Sequence, residues 1–257
     1  MSDEHDPEEM LRLFQELDAS TKPKMDRIIK APFPMPGCKT RSVREIVPLL
    51  PQRNVRVETH GGTGIVMLNS PRSKLEVFND RNGGITDFYI CLKDPALMRQ
   101  VMEWLDKTIS GREFWVWCKE NWQNHQMDRP ARAAMWYYML SYSFNGLGKN
   151  WGRSLLPDGA FDGKIRNRLE DFPQIHDRMK RWRIENLSWE AIFRDYDSFQ
   201  TVFYVDPTYL GVYKGTYIHE MTEVDHKKML DTIFTLDGFV AVSHYDHPLY
   251  NGYDWDN

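Results

Sequence analysis

Apolar positions along the chain change period several times. Residues 55–59 and 75–78 are short runs rich in β-branched and apolar side chains that read as strands, closed by His60-Gly61-Gly62-Thr63-Gly64 and by Asn79-Asp80. Behind Asp94-Pro95 the spacing lengthens to four, with Leu97, Val101 and Leu105 in one stripe, which predicts an amphipathic helix capped by Asp94 and opened by the proline. Helical signals then continue over 107–186 without strand alternation, in a stretch rich in Trp, Arg and Tyr. Strand pattern returns at Thr201-Val202-Phe203-Tyr204-Val205, an uninterrupted apolar run of the kind covered on both faces in a parallel sheet. Residues 238–243 read as another buried strand, and 222–225 have the form of a capping box before a helix carrying Met229, Leu230 and Ile233. Near the start, Met10, Leu13, Phe14 and Leu17 fall at helical spacing with an acidic outer face.

Strands alternating with helices around a helical block imply an α/β chain, a doubly wound sheet interrupted by an insertion. The expected organisation is an acidic extension over 1–30, a sheet domain formed by 31–106 and 187–257, and an inserted helical region over 107–186. Ligands in such sheets sit beyond the carboxyl ends of the strands, and Gly64, Asp80 and Asp206 all fall there.

Composition narrows the class. With 257 residues, 41% hydrophobic and 13% aromatic, the chain is long enough for a substantial core. No apolar run approaches the ~20 residues that span a bilayer, and the acidic start lacks the look of a secretory signal, so a soluble cytoplasmic protein is expected. Cys38, Cys91 and Cys118 form no CxxC pair and are expected to be reduced. The net charge of −4 is unusual for a nucleic-acid partner, but the average hides a pattern. Acids crowd the two ends, whereas Arg129, Arg132, Lys149 and Arg153 make the middle locally basic; the same run also describes an ordinary solvated face.

Two stretches carry candidate chemistry. The glycines of 60–64 let a cofactor approach the backbone closely, although the pentapeptide alone equally describes a strand-to-helix turn. Asp80, about 20 residues on and at the end of the next strand, is placed to hydrogen-bond the ribose hydroxyls of a nucleoside cofactor. Asp206-Pro207-Thr208-Tyr209 closes an apolar strand with a carboxylate, a rigid proline and an aromatic ring. An exocyclic amine is a poor nucleophile because its lone pair is delocalised into the base. Asp206 and the Pro207 carbonyl can each accept one N–H and free that lone pair, while Tyr209 stacks on the base. His244, Asp246 and His247 lack a fourth metal ligand, and His219-Glu220 lacks the second histidine of a zinc-protease helix, so no metal site is expected.

Taken together, these stretches resemble the Dam-type adenine methyltransferases, especially those of phages and prophages. Pro36-Gly37-Cys38-Lys39 is similar to the family's P-G-G-K element. Val57-Glu58-Thr59-His60-Gly61-Gly62-Thr63-Gly64 resembles its V-E-P-F-x-G-x-G loop, and Phe203-Tyr204-Val205-Asp206-Pro207-Thr208-Tyr209 its F-Y-x-D-P-P-Y motif. The likeness implies a Rossmann-like methyltransferase sheet, S-adenosylmethionine as cofactor, double-stranded DNA as partner, and a setting such as restriction–modification or a phage genome. It further implies that Met35, Gly37, Lys39, Glu58, His60, Gly62, Gly64, Asp80 and Asp206 contact the cofactor, with Asp206, Pro207 and Tyr209 catalytic. In the helical region Ser143-Phe144-Asn145-Gly146-Leu147-Gly148-Lys149 looks like the family's DNA-entering hairpin, which puts Phe144, Asn145, Lys149 and Arg153 on DNA.

The sequence departs from the family at each signature: Cys38 stands for the second glycine, His60 for phenylalanine and Thr208 for the second proline. Cys38 would crowd the site if its backbone had positive φ, and His60 brings a titratable ring. Alternatives are a degenerate relative that binds without turnover, and an amino methyltransferase of cytosine N4 or of RNA.

Overall fold

The computed structural model describes residues 28–152, 160–211, 215 and 217–255. The helix expected near Met10, nearly all of the 1–30 extension and Arg153 lie outside the described residues.

Five strands form one sheet: β1 (Val55–Glu58), β2 (Leu75–Asn79), β3 (Arg183–Glu185), β4 (Thr201–Val205) and β5 (Phe239–Val242). All neighbours are parallel, in the order β3-β2-β1-β4-β5. The chain therefore winds outward from β1 through β2 to β3, then crosses back to β4 and winds the other way. That reversal opens a crevice beyond the carboxyl ends of β1 and β4, where a doubly wound sheet takes its ligand.

The helices are α1 (Val43–Ile46), α2 (Ile65–Asn69), α3 (Gly83–Lys93), α4 (Pro95–Asp106), α5 (Arg112–Asn121), α6 (Arg129–Ser141), α7 (Ala160–Leu169), α8 (Phe172–Met179), α9 (Trp189–Tyr196), α10 (Glu223–Ile233) and α11 (Pro248–Asn251). Among the described residues none is long and apolar enough to cross a membrane. Caps read from sequence are formed. Asp94 accepts from the Ala96 and Leu97 amides ahead of α4, and Thr222 and Asp225 cap each other's backbone ahead of α10.

Side chains alternate across the sheet, so each face has its own core. On one face Val57, Val77, Phe203 and Val205 pack against Ile192 and Phe193 of α9 and Met229 and Ile233 of α10. On the other, Val202 and Tyr204 meet Val43 of α1 and Ile65 and Val66 of α2, while Phe78 leads into a large aromatic core with Phe88, Tyr89, Trp136 and Trp182. The helical stretch shares that core with the sheet. A Cβ on Gly84 of α3 would lie 2.3 Å from the Trp136 ring, so this glycine is what lets α6 lie against α3.

Two expectations are corrected. The stretch 107–186, read as helical throughout, contains β3, which extends the sheet beside β2. Three residues at an exposed edge, two of them charged, are too short and too polar to show strand alternation. The strand at 238–243, read as buried, is the opposite edge: Phe239 is 36% exposed and the rest of β5 is half-buried, because β4 covers only one of its sides.

Candidate functional site

The loop after β1 is held in shape from below. Gly61 donates to the Asn79 carbonyl at 2.7 Å, and a Cβ there would fall 2.2 Å from the Phe78 ring. Gly62 and Gly64 adopt positive φ, 51° and 60°, which a residue with a Cβ rarely takes. Asp80, at the end of β2, accepts from the amides of Gly62 and Asn82, both at 2.8 Å, so its carboxylate ties the glycine loop to the start of α3. Burial outweighs those two bonds and raises its pKa to about 6. Asn79, read from sequence only as a turn residue, joins the same strand ends: its amide group donates to the Thr59 carbonyl at 2.8 Å and accepts from the Leu187 amide at 2.8 Å.

Across the crevice, Asp206 follows β4. The Lys39 ammonium reaches both of its oxygens, at 2.7 and 2.5 Å, and also the Gly37 carbonyl at 2.9 Å. Burial alone would lower Lys39, but the charge of Asp206 and its hydrogen bonds more than offset that and hold it above its ordinary value. For Asp206 burial dominates and raises its pKa, with Lys39 pulling in the opposite direction. The ammonium also lies 5.0 Å from the centre of the Tyr209 ring. Lys39 arrives on a strap in which Gly37 has φ 74°, and a Cβ there would lie 2.8 Å from the Tyr217 hydroxyl.

A cavity of about 370 Å³ lies between these two constructions, a volume in the range of small-molecule sites. His60, Gly62 and Asp80 line it beside β1 and β2, Asp206, Pro207 and Tyr209 beside β4, and Met35, Gly37 and Lys39 from the strap. Sequence reading gave no role to Trp189, Tyr217 and Tyr245, which add aromatic walls, because nothing in their local pattern distinguishes them from core or loop aromatics.

The hairpin beyond α6 is also formed. Ser143 and Trp151 make an antiparallel bridge, and the Phe144 amide donates to the Asn150 carbonyl at 3.0 Å. Phe144 is 63% exposed, Asn145 has φ 52°, and both Asn145 and Lys149 face solvent. Gly146, at φ 68°, sits so close to the strap that a Cβ would lie 2.6 Å from the Pro34 carbonyl oxygen. The exposed aromatic tip and the strap that carries Lys39 therefore rest on each other.

The sequence matches the family model of the D12 class N6 adenine-specific DNA methyltransferases over residues 36–249, most of the chain. The chain belongs to this family. No curated protein matches it. As a D12 class member it is a DNA adenine-N6 methyltransferase, with DNA as substrate and a methyl donor of the S-adenosylmethionine type.

The departures from the methyltransferase signatures are accommodated. Gly37, not Cys38, carries the positive φ, so the conditional clash at Cys38 does not arise. Its thiol instead contacts the Thr40 and Thr63 hydroxyls at 3.0 and 3.2 Å. Burial, reinforced by His226, lowers His60 to about 4, so the ring is neutral at physiological pH. Thr208 accepts from the Met221 amide at 2.9 Å, a tie that proline has no hydroxyl to make. Among the described residues no cluster of three or more His, Cys, Asp and Glu suited to a metal occurs.

Two residues of the expected cofactor set lie outside the cavity wall, Gly64 and Glu58. Gly64 is instead the cap of α2, tucked beneath Tyr89, Phe78 and Trp182. Glu58 is 2% exposed and points to the sheet face under α2, where it accepts from the Met67 amide at 2.5 Å. It is the last residue of β1, and alternation turns it onto that face instead of into the crevice.

Burial raises Glu58 to about 8, from an ordinary 4.5. The folded state therefore holds this proton more tightly than the unfolded one, and the stability it confers below pH 4.5 is lost as pH rises through about 8. Glu58→Gln keeps the acceptor for Met67 and removes the proton. Its thermal midpoint should lose much of the decline that the native protein shows between pH 5 and 8.5; parallel curves would mean that Glu58 is charged in the fold.

Proposed function

We propose that the methyl group comes from S-adenosylmethionine and goes to N6 of an adenine rotated out of double-stranded DNA. One observation carries this reading: the Asp80-bound glycine loop and the Asp206-Pro207 pair face each other across a single cavity. The residues present fit the cofactor. Both Asp80 oxygens are anchored by backbone amides yet keep lone pairs for ribose hydroxyls, and Gly62 leaves the wall without a side chain. Met35, His60 and Trp189 supply flat or polarizable surface for the rest.

When bound, S-adenosylmethionine would supply an electrophilic methyl group whose bond to a sulfonium sulfur breaks, leaving a neutral thioether. The protein's own part is to prepare the amine. Lys39 keeps Asp206 ionised, hence an acceptor only, with lone pairs left for one N6–H. The Pro207 carbonyl takes the other, which turns the nitrogen lone pair out of conjugation and toward the donor side of the cavity. Tyr209 stacks on the base, a contact worth ~1–3 kcal/mol for bases on aromatic rings. As N6 forms its new bond it gives up a proton, and Asp206, whose pKa burial raises, is the group to receive it.

Rotation of the base is tested with a duplex carrying 2-aminopurine at the target adenine, whose fluorescence rises on leaving the stack. Binding in the presence of a non-reactive cofactor analogue should raise it several-fold; no rise would remove base rotation from the account. Phe144, exposed at the hairpin tip, fills the space the base leaves. Phe144→Ala should weaken specific DNA binding about tenfold, in line with the loss of one stacking contact. Cofactor affinity, measured by calorimetry, should stay unchanged, and equal loss of both would instead indicate a folding defect.

A further inference from the structure

We infer that His244 is a positioning residue for Tyr209, clamping the catalytic loop so that the ring meets the target base in a fixed plane; this rests on the function proposed above. The chain leaves β5 as Ser243-His244-Tyr245 and runs alongside Tyr209-Leu210. Four contacts join the two segments. The Tyr209 and Ser243 hydroxyls lie 2.9 Å apart, the Leu210 amide donates to His244 Nε2 at 3.0 Å, and the Tyr209 ring centre lies 4.9 Å from that of His244 and 4.7 Å from that of Tyr245.

The histidine is itself held from behind. Its Nδ1 lies 2.7 Å from the Tyr245 carbonyl and donates to it, so with Nε2 accepting from Leu210 both ring nitrogens are engaged in the neutral form. The ring also stacks on Tyr250 of α11, with centres 4.0 Å apart and planes at 14°. The Tyr250 hydroxyl in turn meets Nδ1 of the buried His226 of α10 at 2.7 Å. A chain of contacts thus runs from the core through His226, Tyr250 and His244 to the loop that carries Tyr209. Gly211, at φ 80°, follows Leu210 directly, so the clamp holds the loop immediately before a left-handed turn. A stacking residue has to be held to within ~0.5 Å to serve a reacting base.

The contact has a pH signature. A proton on Nε2 replaces the acceptor facing the Leu210 amide with a donor, and the clamp opens. The groups around the ring are His226 and Tyr250 from the helices, Tyr209 from the catalytic loop, and Tyr245, Asp246 and His247 from its own segment. Burial, with some help from His247, holds His244 below its ordinary value, which keeps the clamp closed at neutral pH.

The test is single-turnover methyl transfer by the full chain to unmethylated DNA, comparing wild type with His244→Phe and His244→Gln. Phenylalanine keeps the stack and loses the acceptor. It should slow transfer about tenfold, the order of one lost hydrogen bond, with KM for DNA and for S-adenosylmethionine changed less than about twofold. Glutamine offers a carbonyl to Leu210 and should restore the rate to within about threefold of wild type, without the wild-type decline on acidification that belongs to the ring. An active wild type with an equally active His244→Phe overturns the assignment alone, as does His244→Gln failing alongside His244→Phe. A wild type that transfers no methyl to DNA overturns the functional reading and this assignment together.

Discussion

Asp206→Ala should lower the single-turnover rate of adenine methylation by about 10²–10⁴, the range for removing a group that handles a proton or developing charge at the reacting atom. DNA binding should survive, because the exposed hairpin tip at Phe144 is built from α6 and the strap, not from Asp206. The variant also leaves Lys39 half-buried with the Gly37 carbonyl and the Tyr209 ring but no carboxylate as partner. Its ammonium should then fall in pKa, since burial is the largest influence on it and the offsetting carboxylate is gone. Asp206→Asn separates charge from shape: it fits the same space but presents a donor on one side, so it should be nearly as slow. A rate within tenfold of wild type for either variant would remove Asp206 from the chemistry.

Arg178→Ala should cost about 3–5 kcal/mol of stability, the penalty for breaking a buried ion pair by removing one partner. Arg178 on α8 is 9% exposed and binds both oxygens of Glu76 at 2.7 Å. It also donates to the Leu68, Met67 and Ser70 carbonyls at 3.1, 2.6 and 3.0 Å, which satisfies the carboxyl end of α2. Alanine takes the charged partner from a buried carboxylate and a donor from three carbonyls at once. Because α2 starts from the glycine loop, cofactor affinity should fall with stability. The double change Arg178→Met with Glu76→Leu should recover part of the loss, since no lone charge remains. Denaturant unfolding of the three proteins checks this, and a single variant within 1 kcal/mol of wild type would contradict the part assigned to this network.

What the sequence disclosed follows from which signals are local. β4 and its aspartate were legible because Thr201 and four apolar residues ending in Asp-Pro describe a buried strand closed by a turn, and all five are buried. The glycine loop and Asp80 were legible from their spacing. β3 was not, because a three-residue edge strand owes its existence to β2 and carries no pattern of its own. α3 also escaped the reading, since its opening Gly83-Gly84 reads as a loop; Gly84 is required instead by the Trp136 ring pressed against it. Glu58 shows the limit of motif transfer: its position in the signature is right, but strand alternation turns it under α2. The ion pair of Lys39 with Asp206 joins residues 167 positions apart, and the clamp of His244 on Leu210 joins residues 34 apart. Neither leaves a local trace, because each depends on the order of strands in the sheet.

The most direct test is transfer of labelled methyl from S-adenosylmethionine to unmethylated double-stranded DNA, followed by digestion to nucleosides. The account predicts label in N6-methyladenine and in no other nucleoside, lost with Asp206→Ala. A protein that binds DNA and cofactor yet leaves every nucleoside unlabelled would contradict it, and would mean that the changes at Cys38, His60 and Thr208 have ended the chemistry.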